Sequence, residues 1–197
     1  MNFLAHILLS EQLDEICIGN FIADHIKGNN YKIFSPLVQK GIKLHRAIDF
    51  YTDGHPIHKR SRRRLDSKYG HYKGVIIDIF YDHFLAKNWS EYHKQNLEDF
   101  TLEFYDLMLD NSETLPEQVN HMLTYMVPQN WLYNYQNFDG LQQVMNGMNR
   151  RTKGLSKMDE SLEDLKENYI DFESDFREFF EDLLTFSKSK LIELKNE

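Results

Sequence analysis

Cysteine is nearly absent from this chain of 197 residues: Cys17 stands alone, which excludes a disulfide framework and any zinc site built from cysteine pairs. Such a chain suits a reducing, cytoplasmic setting, and Cys17, between Ile16 and Ile18, is expected in the core. Breakers are few, with nine glycines and four prolines, and no alternation of apolar and polar residues with hairpin turns is present. No apolar run approaches the roughly 18 residues of a membrane span, and the stretch around Val75-Ile76-Ile77 is cut by Asp78. The apolar start, Met1 to Leu9, lacks a preceding Lys or Arg and carries His6, so it is not expected to be a secretory leader. Also missing are a phosphate-binding glycine loop, a GxSxG elbow and an HExxH zinc motif.

Hydrophobic residues make up 41% and aromatics 14%, too rich for disorder. The pattern is that of an all-α protein, a single-domain helical bundle over residues 1–197 with no linker or repeat. Leu97, Phe100, Phe104, Leu107 and Met108 form one helical stripe; Leu162, Leu165, Tyr169, Phe172, Phe176, Phe179 and Leu183 form another. Ser35-Pro36 predicts a helix start and Gly54-His55-Pro56 its end. A basic helix follows to about Ser67, a break at Tyr69-Gly70, then a buried helix from Tyr72 to about Asn88. Further helices are expected over 91–110, 114–127, 138–149 and 159–192. The net charge of −8 is uneven, with acidic residues crowded between Asp159 and Asp182 and a basic run from Lys59 to Arg64. This balance argues against broad nucleic-acid binding, while the local basic run suits an acidic or phosphorylated partner.

Charges inside apolar helices carry the chemistry. Asp78 and Asp82 are one turn apart on one face of a helix otherwise built for burial. Like charges at that spacing repel; a divalent metal compensates them, as does a pair of arginines or a polar face turned to solvent. His45, Asp49 and Asp53 share a second helical face, a set of donors suited to manganese, iron, zinc or magnesium or else a solvated surface pair. Asp49 is placed either to bind or to orient His45, and Arg46, about 100° around the helix, to reach a phosphate at the rim. His6 in an apolar run and Asp24 after Gly19-Asn20-Phe21-Ile22-Ala23 complete the set. Either alone reads as a core histidine or a cap. Ligands drawn from several helices into one interior pocket is how helical metallohydrolases build a site. His25, His55, His58, His71, His93 and His121 receive no role.

Taken jointly, Met1-Asn2-Phe3-Leu4-Ala5-His6, Gly19 to Asp24, Gly41 to Asp49 with Thr52-Asp53, and Asp78 through Asp82-His83-Phe84-Leu85 with Trp89 resemble the bacterial acyl carrier protein phosphodiesterase family, a resemblance running nearly end to end through Trp131 and Val144 to Met148. It implies an all-helical fold distantly akin to HD-type metallohydrolases, and removal of the 4'-phosphopantetheine arm from holo acyl carrier protein with a divalent cation, typically manganese. Carried onto this chain, Asp24, His45, Asp78 and Asp82 are expected to hold the metal, and Arg46 to steady the phosphate. Asp49 is expected to orient His45, and His6 or His83 to protonate the leaving serine. The His-Asp order of the HD-type signature is reversed here at Asp82-His83, and His45 is followed by Arg46. Lys59, Arg60, Arg62, Arg63 and Arg64, outside the family pattern, are a candidate docking face for the acidic carrier protein or a face paired with the acidic carboxy-terminal helix. The alternatives are an HD-like hydrolase of a nucleotide or other small phosphoester, and a non-catalytic helical binding module.

Overall fold

Capping and breaker signals set the backbone. The computed structural model describes all 197 residues and contains eleven α-helices, six short 3-10 turns and no β-strand. The helices are α1 (Phe3–Leu8), α2 (Glu15–Ile22), α3 (Pro36–Gly54), α4 (Pro56–Arg64), α5 (Lys73–Lys87), α6 (Leu97–Asp110), α7 (Glu117–Met126), α8 (Trp131–Asn134), α9 (Phe138–Arg151), α10 (Ser161–Glu167) and α11 (Tyr169–Asn196). The Ser35 hydroxyl accepts from the Val38 amide to start α3, and Pro36 and Pro56 occupy first-turn positions of α3 and α4.

The largest departures from the expected boundaries have local reasons. α6 starts at Leu97 rather than 91, because Asn96 caps it by accepting from the Asp99 amide, while the Trp89 indole donates to Gln95 O and closes the preceding turn. The helix expected over 159–192 is two. Asn168 turns its amide back onto the Asp164 carbonyl at 3.1 Å, and its backbone leaves the helical region at φ −116°, ψ 27°.

The buried apolar side chains form one connected cluster from Met1 to Leu194, Cys17 included. α5 runs through it, buried on nearly every face from Ile76 to Ala86. Gly19 and Gly41 bring α2 and α3 into backbone contact: a Cβ on Gly41 would lie 2.0 Å from Ile16 O, and one on Gly19 2.1 Å from Val38 O. That approach sets Asn20, the residue after Gly19, against His45, one turn beyond Gly41.

The basic helix α4 faces the acidic α11. Arg60 donates to Asp175 Oδ1 (2.7 Å) and pairs with Glu178 (2.7 Å); Arg64 pairs with Asp175 and, at 3.9 Å, with Asp171; and Ser61 donates to Asp175 Oδ2 (2.7 Å). Asp175 is buried and would be costly to leave unpaired. Arg62 reaches Asp53 at 3.5 Å and Lys59 donates to Gly54 O. Of the five cations expected to receive a partner, Arg63 alone makes no polar bond within the chain. Of the two expectations for this run, the structure displays the pairing with the acidic carboxy-terminal helix, through Arg60 and Arg64.

Candidate metal centre

Two imidazoles stack at the junction of α1, α2 and α3, with ring centroids 4.0 Å apart. Asn20 orients both. Its amide nitrogen donates to His6 O (2.7 Å) and Ser10 Oγ (3.0 Å), which turns Oδ1 toward His6 Nδ1 at 2.8 Å; its backbone carbonyl meets His45 Nδ1 at 2.7 Å. Each Nδ1 therefore carries a proton and donates it to Asn20. The opposite nitrogens also meet only oxygens: His6 Nε2 lies 3.2 Å from Asp49 Oδ1 and from Met1 O, and His45 Nε2 lies 3.1 Å from Asp24 Oδ1 and 3.0 Å from Asp49 Oδ2. A neutral imidazole has one N–H, so both Nε2 lone pairs face oxygen lone pairs unless a proton or a cation stands between them.

Charge alternates outward from this pair. The Met1 α-amino group pairs with Asp49 (3.6 Å) and Asp78 (3.2 Å), and His58 Nε2 donates to Asp78 Oδ1 at 3.0 Å. His58 is fully buried, and its Nδ1 has no hydrogen-bond partner. Burial disfavours charge on His45, but Asp24 and Asp49 outweigh it and raise its pKa to about 9. His6 moves the other way, lowered by burial and by the neighbouring His45 charge. Burial pushes Asp24, Asp49 and Asp78 up, yet each is held below the usual carboxylate range, Asp24 by His45, Asp49 by His45 and His6, and Asp78 by the Met1 amine and His58. The ligand atoms of His6, His45 and Asp49 all lie within 4.8 Å of one another. Imidazole nitrogen and carboxylate oxygen with ring tautomers already fixed for binding fit a divalent first-row cation.

The profile of the family described as Acyl carrier protein phosphodiesterase matches residues 1–183. The chain belongs to the acyl carrier protein phosphodiesterase family. The acyl carrier protein phosphodiesterase of Yersinia enterocolitica is 31% identical over 146 residues, 74% of this chain and 76% of that protein; that of Escherichia coli O6:H1 is 31% identical over 147 residues, with the same coverage. No solved structure matches the chain.

In this member of the family the candidate residues separate into two groups. His6, Asp24, His45 and Asp49 converge, and Asp78 adjoins them through the Met1 amine. Asp82 does not: it is fully buried, and its two oxygens accept from the Leu4 (2.7 Å) and Ala5 (3.2 Å) amides, capping the start of α1. Burial pushes its pKa up to about 7 against those bonds. Asp82 is thus an anchor for the helix that carries His6, a correction to its expected ligand role. His83 turns elsewhere, donating from Nδ1 to Tyr135 O (2.8 Å) and meeting the Tyr169 hydroxyl at Nε2 (2.9 Å); it shares no partner with the cluster. Arg46 donates to Ile26 O (3.1 Å) and Gly28 O (2.9 Å), bracing the turn after Asp24. Asp53 is exposed and pairs with Arg62. Two contributors carried no signal read from the sequence. Asn20 is a neutral side chain, and His58 sits in a basic run, although its spacing with Ile57, Ser61 and Leu65 marks the buried face of α4.

Proposed function

We propose that this chain is a metal-dependent phosphodiesterase that removes 4'-phosphopantetheine from the serine of holo acyl carrier protein, leaving the apo form. The observation that carries the reading is the convergence of His6 and His45 Nε2 on the carboxylates of Asp24 and Asp49, in a chain of this family. His6, His45 and Asp49 would hold the cation, with Asp24 at the mouth. A bound divalent cation, manganese by preference, supplies Lewis acidity that polarises the phosphodiester and makes water a better nucleophile near neutral pH.

The protein's own residues supply holding and proton transfer. Asn20 fixes both rings so that their Nε2 atoms converge. Asp24 is the most open member, with its side chain 64% exposed and Oδ2 free of the His45 contact. Its carboxylate takes a proton from the attacking water as the new P–O bond forms. It returns that proton to the serine oxygen as the old P–O bond breaks. His6 holds rather than donates: buried, with its pKa lowered, it carries no spare proton at neutral pH. This role replaces the general acid expected of it.

Mass spectrometry of holo acyl carrier protein incubated with the protein and manganese tests the reading. Conversion to the apo mass is expected, and it should stop with chelator. Hydrolysis of small phosphodiesters with the holo carrier left intact would favour a nucleotide-type hydrolase instead.

A further inference from the structure

With α4 turned inward, the free positive charge of this acidic molecule collects elsewhere. The last turn of α9 and the loop after it, 150–157, carry Arg150, Arg151, Lys153 and Lys157, and no Asp or Glu lies between Asp139 and Asp159. Neither Arg150, Arg151 nor Lys153 pairs with any carboxylate; Lys157 faces Glu160. Leu155, at the tip, is 74% exposed. The loop takes a backbone conformation side chains rarely choose, with φ 55° at Lys153, 79° at Gly154 and 53° at Lys157. Asn149 secures it: its carbonyl accepts from Gly154 N (2.9 Å) and its side-chain oxygen from Ser156 Oγ (3.0 Å) and Lys157 N (3.1 Å). Ser156 is fully buried beneath, bonded to Thr152 as well. An exposed leucine with cations lacking a carboxylate partner on either side of it in sequence has the make-up of a protein contact, an apolar anchor inside a charged rim.

Arg151, where the loop begins, also lies toward the candidate centre. The link between α8 and α9 touches the start of α1, where Asn2 donates to the Tyr135 hydroxyl at 2.8 Å. Burial lowers the pKa of His25, Asp24 raises it and the Arg151 charge lowers it again, which places Arg151 within Coulombic reach of the residue next to Asp24.

We infer that Arg150, Arg151, Lys153 and Leu155 form the surface on which the acidic carrier protein docks, so that its modified serine meets Asp24. This rests on the proposed function for the identity of the partner. Opposite charge sets the encounter rate and the orientation, and the leucine sets the residence time.

Fluorescence anisotropy with labelled apo acyl carrier protein, which has no arm to lose, reads docking apart from turnover. Replacing Arg150→Glu, Lys153→Glu and Leu155→Ser together is expected to raise Kd at least tenfold at low ionic strength, with the circular dichroism melt unchanged. Replacing Lys59→Glu and Arg63→Glu is expected to leave Kd within twofold. A loop variant that binds like the wild type, or a wild type that does not bind the carrier at all, overturns the inference. A wild type that binds through the loop but leaves holo carrier intact in the mass-spectrometric assay upholds the surface and overturns the hydrolase reading alone.

Discussion

Asn20 meets both histidines through two different groups, its side-chain oxygen on His6 and its backbone oxygen on His45. Asn20→Ala removes only the first, freeing the His6 ring to turn. Manganese affinity is expected to fall by about tenfold to a hundredfold with helicity retained, as titration would show. His45 makes the centre sensitive to acid. Its pKa of about 9 means that it is protonated at neutral pH without a cation, so metal must displace that proton. Affinity is therefore expected to rise with pH, about tenfold per unit, levelling off near pH 9; calorimetry in buffers of different ionisation enthalpy would detect the released proton. Affinity that is flat between pH 6 and 8 would contradict this. At this scale the sequence revealed the charged members well, since His6, Asp24, His45, Asp49 and Asp78 are anomalies in apolar or turn-bounded segments. It hid Asn20, whose importance lies in one amide flip and one carbonyl, and His58, whose buried setting depends on α11 covering α4.

Helix packing decides where those side chains meet. The Gly19–Gly41 contact admits no Cβ, so Gly41→Ala is expected to push α2 from α3 and separate Asn20 from His45. A loss of stability of about 3 kcal/mol, read from denaturant unfolding, should accompany loss of metal binding. Asp82 ties α1 to α5 through two amides. Asp82→Ala is expected to cost about 2 kcal/mol of stability by orphaning them, while manganese affinity in the folded protein stays within a few-fold. Local signals marked most helix limits, as at Ser35-Pro36 and Gly54-His55-Pro56. They missed the break at Asn168, which sits within an unbroken apolar stripe and is made by one side-chain bond to Asp164. They also could not tell Asp78, which borders the candidate centre, from the anchor Asp82, because both occupy one helical face and only the position of α1 distinguishes them.

Over the whole molecule, charge is sorted rather than scattered. The acidic surplus of α10 and α11 is partly met by α4, through Asp175, Glu178 and Asp171, while the carboxylates of the centre are met by imidazoles and the Met1 amine. The 150–157 loop adds cations with no carboxylate partner, Arg150, Arg151 and Lys153. No helix is long and apolar enough to cross a membrane. What unites this arrangement is a centre short of positive charge, gathered from α1, α3 and the turn after α2. Electron paramagnetic resonance titration of manganese probes it most directly. Wild-type protein is expected to bind the ion, and His45→Ala and Asp49→Ala each to weaken binding at least tenfold while remaining folded. Folded His45→Ala and Asp49→Ala proteins that bind manganese as tightly as the wild type would contradict the assignment.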